Sequence, residues 1–103
     1  MIVVNTEEIP GKVISETLGI ARGSTVRARH LGRDIFAGLK NLVGGEISEY
    51  TRLMSDAREE AMQRMVLDAD RMGADAIVNV RITTSAVMQG CSEILVYGTA
   101  VKL

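Results

Sequence analysis

Heavy-metal coordination is the first chemistry that the side chains of this sequence suggest. Cys91 is the single cysteine, His30 is the single histidine, and six methionines add thioether sulfurs. Structural zinc needs four ligands, commonly in pairs such as C-x-x-C, and the sequence contains no such pair. Cys91 lies 61 residues from His30, so we predict no complete site within one chain. Cys91 could instead be a small buried residue at the start of a strand, and His30 could be a turn or interface residue. In a symmetric ring, however, each copy could contribute one Cys or one His to a site on the shared axis.

Three methionines could bind Cu(I) through their sulfur atoms. Met54, Met65 and Met72 are 11 and 7 residues apart, so they share one face of a helix with 3.6 residues per turn. Methionine also fills irregular core space, and only 3% of the residues are aromatic. We therefore interpret these methionines as core residues.

Catalytic and phosphate-binding motifs are weak. The serines and threonines have no G-x-S-x-G elbow, and the one acid near His30 is Asp34, one helical turn away. Gly44-Gly45 precedes a predicted helix, where backbone N–H groups favour anions, but no P-loop lysine follows. We predict an inter-helix turn at these glycines and no enzyme activity.

A basic run, Arg27-Ala28-Arg29-His30-Leu31-Gly32-Arg33, could contact nucleic-acid phosphates. The run lacks interleaved aromatic residues for base stacking, and the formal net charge of the whole chain is −1. We expect a subunit contact or a small anionic ligand there rather than nucleic acid.

Hydrophobic periodicity predicts the elements that would position these residues. We expect an α+β subunit of order β-β-α-α-β-β with an antiparallel sheet and one long helix. The predicted strands cover 2–5, 12–29, 76–88 and 91–103, and the helices cover 31–43 and 46–72. We expect a turn at Ile9-Pro10-Gly11, a bulge at Gly19 or Gly23, and a helix stop at Gly73.

The two central strands of this prediction differ in burial. The even-numbered residues from 76 to 88 are mostly apolar and should share one buried face, whereas the last strand is apolar on both faces and should be covered on both. A helix over 46–72 would be about 40 Å long and would project beyond a subunit of this size. Its unburied apolar surface suggests a partner.

Charge is divided along the chain in a way that suggests self-assembly. Residues 22–40 hold five basic residues and one acidic residue, a net of +4, whereas residues 46–75 hold eight acids and four arginines, a net of −4. Complementary segments suit head-to-tail contacts that close into rings. The alternative is that both segments pack within one subunit or face solvent.

Length and composition favour a single domain over residues 1–103. One cysteine excludes an intrachain disulfide, and Met1–Asn5 lacks the charged region and the apolar stretch of a signal peptide. We therefore expect a cytoplasmic protein without a membrane segment.

Four short motifs follow one another along the chain: Thr6–Gly11 (TEEIPG), Val43–Glu46 (VGGE), Gly73–Val78 (GADAIV) and Tyr97–Val101 (YGTAV). In this order they resemble the YbjQ family of small bacterial and archaeal proteins. The resemblance covers essentially the whole chain and implies a dodecin-like α+β subunit, pentameric rings and a heavy-metal-binding domain. No metal motif of the family maps onto residues here.

Together these observations predict a non-enzymatic cytoplasmic homo-oligomer, and the resemblance to the YbjQ family implies that the oligomer is a pentamer. Its subunit interfaces would bind a heavy-metal ion or another small ligand, with Cys91 and His30 as the metal candidates and no cofactor-binding residue assigned. The alternative is a structural or regulatory interaction module that binds no ligand.

Overall fold

The computed structural model describes residues 1–28, 42–43, 46–88 and 90–103. Its elements in chain order are β1 (Ile2–Val3), β2 (Glu16–Ala28), β3 (Leu42–Val43), β4 (Glu46–Ile47), α1 (Ser48–Arg71), β5 (Ala76–Met88) and β6 (Cys91–Lys102). One four-stranded sheet has the order β1-β5-β6-β2, and β3 and β4 form a separate two-stranded sheet. The expected α+β class is confirmed.

The main sheet is mixed, so the prediction of an antiparallel sheet is wrong at one edge. β2 and β5 both run antiparallel to β6, but β1 runs parallel to β5, with Ile2 opposite Ala76. The reason is that α1 returns the chain to the end of the sheet where β1 began. Hydrophobic patterning reports which face of a strand is buried and carries no information on its direction.

The predicted helix over 31–43 lies outside the described residues except at its last two positions. There the prediction is wrong, because Leu42–Val43 form β3 and pair antiparallel with Glu46–Ile47. The long helix consequently begins at Ser48 rather than at Glu46.

The C-terminus of α1 confirms the predicted stop at Gly73. Gly73 has a positive φ of 82° and donates its N–H to the Asp70 carbonyl at 3.0 Å. Ala74 donates to the Ala69 carbonyl at 3.1 Å. These two bonds form a Schellman motif, in which a left-handed glycine satisfies the last carbonyl groups of a helix.

The core between α1 and the sheet consists mainly of small side chains. The fully buried residues of the helix are Ala57, Ala61, Met65 and Ala69. They face β2, where Thr25 is buried and donates its hydroxyl to the Ala57 carbonyl at 3.1 Å. A Cβ added at Gly23 would lie 2.3 Å from the Ala61 carbonyl oxygen, so the helix backbone rests directly on this glycine.

β5 changes faces at Asn79, which has a positive φ of 55°. The register with β6 shifts between Val78 and Arg81. As a result Ala76 and Val78 join a cluster with Val101, whereas Val80 joins the core under α1. The prediction that all even-numbered residues from 76 to 88 share one face is therefore wrong, because an extra residue at a bulge inverts the alternation that follows it.

The length of α1 relative to the sheet and the burial of β6 also differ from the predictions. α1 has 24 residues and β2 has 13, which correspond to about 36 Å and about 43 Å. The helix therefore matches its sheet in length, and the expectation that it projects beyond the sheet is wrong.

The last strand, β6, is covered on its second face at one end only. On the face away from α1, β6 is covered at Val101, but Tyr97 remains 37% exposed.

Two predicted irregularities near the N-terminus are confirmed. β2 shifts register between Thr17 and Gly19, and Gly19 has a positive φ of 131°. Lys12 donates its N–H to the Ile9 carbonyl at 3.0 Å around Pro10 and Gly11, where Gly11 has a φ of 79°. No helix in the described ranges combines the length and apolar character needed to cross a membrane.

Candidate functional site

Of the two predicted metal candidates, the structure describes only Cys91. Cys91 is half-buried at the start of β6, opposite Ala28 of β2 and Met88 of β5. His30 lies outside the described residues. Within residues 1–28, 42–43, 46–88 and 90–103, no three His, Cys, Asp or Glu side chains cluster in a way that could hold a metal ion. The described donors of one subunit therefore do not fit a heavy-metal site.

The methionine face of α1 packs against the core. Met65 is fully buried, and Met54 and Met72 are partly buried against the same cluster. This placement supports the interpretation of these thioethers as filler between helix and sheet.

Part of the basic segment pairs with the acidic helix inside one subunit. Arg27 forms an ion pair with Glu60, and the second carboxylate oxygen of Glu60 lies 2.5 Å from an Arg64 nitrogen. The side chains of both Arg27 and Glu60 are 37% exposed. The intrasubunit alternative therefore holds at Arg27.

Helix side chains also occupy the free edge of β2. The Arg22 main-chain N–H donates to the Asp68 carboxylate at 3.0 Å. The Arg64 guanidinium donates to the Ser24 carbonyl at 2.6 Å. These contacts satisfy main-chain groups of Arg22 and Ser24 on the side of β2 that no strand of the described chain covers. At these two residues the edge is a poor template for another strand.

An open cleft of about 390 Å³ lies beside this edge. Its lining residues are Arg22, Gly23, Ser24, Arg64, Leu67, Asp68, Arg71 and Leu95. We call the group Arg22, Arg64 and Arg71 the arginine cleft. Guanidinium groups form forked hydrogen bonds with carboxylates and phosphates, so the cleft has the chemistry to bind an anion.

The opposite edge of the sheet is open over much of its length. β1 pairs with Ala76 and Ile77, and the segment after β1 reaches Val80, where the Val80 N–H donates to the Val4 carbonyl at 3.1 Å. Beyond Val80, no strand of the described chain pairs with this side of β5. Residues 81–88 are all exposed, and residues 82–88 (ITTSAVM) carry no charge. We call residues 82–88 the open edge.

An acidic loop adjoins the same edge of the sheet, beside the Asn79 bulge. Glu7 and Glu8, which we call the acidic loop, line a shallow cleft of about 490 Å³ with Arg81. The Arg81 guanidinium donates to the Asn5 carbonyl at 3.1 Å and leaves both glutamates exposed. The sheet thus has a basic cleft at one edge and acidic side chains at the other.

Sequence patterning missed the open edge because apolar alternation through residues 76–88 predicts burial. It also grouped Arg22 and Arg27 in one basic segment, although the two side chains have different surroundings. The sequence does contain a feature that could have indicated the open edge, namely seven consecutive uncharged residues. Sheet edges that face water usually carry charged residues.

Comparison with known proteins identifies relatives over the whole chain. A UPF0145 protein of Methanosarcina acetivorans is 59% identical over 103 residues, which cover 100% of this chain and 97% of the relative. A UPF0145 protein of Photobacterium profundum is 58% identical and is matched over 100% of both chains.

A solved structure shares the fold. It is the crystal structure of a DUF74-family protein of unknown function from Pediococcus pentosaceus, with a TM-score of 0.66 and 17% identity over 100% of this chain and 97% of the other. The family model YbjQ, described as "Putative heavy-metal-binding", matches residues 1–103. Since this model and close relatives both span the chain, the protein belongs to the YbjQ (UPF0145) family.

Proposed function

We propose that the protein is a non-catalytic cytoplasmic subunit that assembles with identical copies into a ring, with small-ligand binding at the subunit interfaces. The observation that carries the proposal is the open edge at residues 82–88. The likeness to the YbjQ family supports five copies. The single cysteine is compatible with a reducing compartment.

An exposed, uncharged edge strand favours pairing with another chain because its N–H and C=O groups lack strand partners. The apolar side chains around it are also exposed: Ile82 by 49%, Val87 by 56% and Met88 by 67%. A neighbouring strand would satisfy the main chain at this edge, and its side chains would pack beside those of β5 on each face of the sheet. The helix does neither, because α1 lies over β2 and β6.

A ring follows from the difference between the two edges. Side chains of α1 cover part of the β2 edge, whereas the β5 edge is open, so a second copy can complete this sheet through a contact between unlike surfaces. Unlike surfaces form heterologous contacts, and these close into rings when the rotation between copies permits it.

The test is the mass of the untagged protein in solution, measured by native mass spectrometry and by light scattering after size exclusion. We expect a defined oligomer, and a double variant Ile82→Lys/Thr84→Lys should shift it toward monomer, since lysine on an edge opposes strand pairing. Gln63→Lys, on the exposed surface of α1, is the matched control. A wild-type monomer at all concentrations would refute the proposal.

Heavy-metal binding is the ligand chemistry that the family description suggests. Because the described donors of one subunit do not cluster, an interfacial site would need Cys91 or His30 from several copies. Elemental analysis of protein purified without chelator tests this, with Cys91→Ala and His30→Ala each expected to lower the metal content. Substoichiometric metal, unchanged in both variants, and a bare oligomer in the native spectrum would favour an interaction module without ligand.

A further inference from the structure

The arginine cleft and the acidic loop lie at opposite edges of one sheet and carry opposite charge. We propose that the acidic loop of one copy docks into the arginine cleft of the next copy. This inference rests on the proposed self-assembly and names the contact that would set its direction.

The arginine cleft has unused charge. It holds three arginines and one acid, Asp68, whose carboxylate already accepts the Arg22 main-chain N–H. Arg64 is engaged by Glu60 and by the Ser24 carbonyl. The guanidinium groups of Arg22 and Arg71 have no partner among the described residues, so two forked donors remain available for a carboxylate.

The acidic loop is held in shape before it meets a partner. The Thr6 hydroxyl donates to the Glu8 carbonyl at 2.8 Å, and the Ile9–Lys12 turn closes the loop on its other side. The carboxylates of Glu7 and Glu8 have no partner in the described part of the chain, and both residues are exposed. A preorganised loop loses less conformational entropy on docking.

The two surfaces lie at the same level along the strands. In the register of the sheet, Arg22 of β2 and Arg81 of β5 both lie opposite Tyr97 of β6. Arg81 in turn contacts Asn5, next to the acidic loop. A copy placed edge to edge would therefore bring its acidic loop to the level of the neighbour's arginine cleft without sliding along the strand axis.

The same geometry excludes docking of the acidic loop into the cleft of its own subunit. The order β1-β5-β6-β2 separates the two edges by three strand intervals, which is about 14 Å. A glutamate side chain cannot span that distance. An acidic loop that docks in the cleft must therefore come from a second copy of this chain.

The cleft also contains apolar surface that docking would cover. Leu67 is 55% exposed, and Leu95, which also lines the cleft, is half-buried. Docking would exclude water from this apolar surface and so strengthen the pairs between the arginines of the cleft and the glutamates of the loop, since attraction between charges rises as the local dielectric constant falls.

Charge reversal tests the contact. We compare Glu7→Lys/Glu8→Lys, Arg22→Glu/Arg71→Glu, and a quadruple variant with all four changes, by sedimentation velocity at about 50 mM and about 500 mM NaCl. Each double variant should raise the dissociation constant between copies by about tenfold or more, and the quadruple variant should restore assembly because its charges are exchanged. Asp56→Lys/Glu59→Lys, on exposed positions of α1, controls for net charge.

The outcomes separate this contact from self-assembly itself. A wild-type oligomer that both double variants leave unchanged would overturn the docking and leave the proposed assembly standing. A weakened cleft variant beside an unaffected loop variant would overturn it in favour of a free anion in the cleft. Failure of the quadruple variant to recover, with native circular dichroism, would also overturn it.

Discussion

Substitution of Gly23 by alanine should break the contact between α1 and β2. The added Cβ would lie 2.3 Å from the Ala61 carbonyl oxygen and 2.3 Å from the Met65 amide nitrogen. Relief to an ordinary contact requires a shift of about 1 Å in the helix, because both atoms belong to its backbone. The fully buried alanines on either side would lose their packing, so we expect a loss of about 3 kcal/mol or more.

Urea unfolding followed by circular dichroism measures this loss at a fixed protein concentration. For a chain of this length it corresponds to a fall of roughly 12 °C or more in Tm. Gly11→Ala is the control, because no atom lies within 4 Å of its added Cβ and its φ of 79° imposes only backbone strain, about 1–2 kcal/mol. A Gly23→Ala protein at least as stable as the control would show that the helix does not rest on β2 at this residue.

Three further substitutions test the same interface. Thr25→Val removes the buried hydroxyl bond to Ala57 and should cost about 1 kcal/mol in urea unfolding, since the Ala57 carbonyl also belongs to the helix. Met65→Ala empties the centre of the core and should cost about 2–5 kcal/mol in the same assay, and an exposed Gln63→Ala variant should cost far less. Glu60→Gln weakens its two arginine pairs and should cost less than about 1 kcal/mol, with the difference from wild type disappearing in high salt. A large, salt-independent loss at Glu60 would contradict the surface character of that cluster.

Long periodic segments of this sequence predict their own structure well. The stripe of alanine and methionine in α1, the stop at Gly73 and the bounds of β5 all follow from local patterning and agree with the structure. These features depend on side-chain spacing and on the left-handed conformation that glycine accepts, and both are local properties.

The bulge at Asn79 could not be predicted from the same patterning. The even-numbered residues remain apolar on both sides of it, so the sequence contains no break where the faces exchange. Asparagine tolerates a positive φ better than most residues, but it is also common in ordinary loops and strand ends. The decisive contacts come from the N-terminal segment, where the Asn79 N–H donates to the Thr6 carbonyl at 3.0 Å. A contact across 73 positions leaves no local signature.

Charge patterning identified opposite segments without distinguishing how each residue is used. Arg27 and Arg64 both pair with Glu60 within the subunit. Arg22 belongs to the same basic segment, yet its guanidinium faces a cleft and its main chain meets Asp68. The net charge of a segment does not distinguish an arginine paired within the subunit from one that lines a cleft. Only the direction of each side chain in the structure does so.

The two sheet edges indicate how the proposed ring would protect an uncharged strand from aggregation. Open edges normally carry lysine, proline or a covering element. Here α1 covers part of the β2 edge through Asp68 and Arg64, while residues 82–88 carry no lysine or proline and no strand of the described chain pairs with their free side. In the proposed ring each open edge meets a neighbour, and closure leaves no edge free. Assembly would then limit itself, because a closed ring leaves no arginine cleft and no acidic loop free to add a further copy.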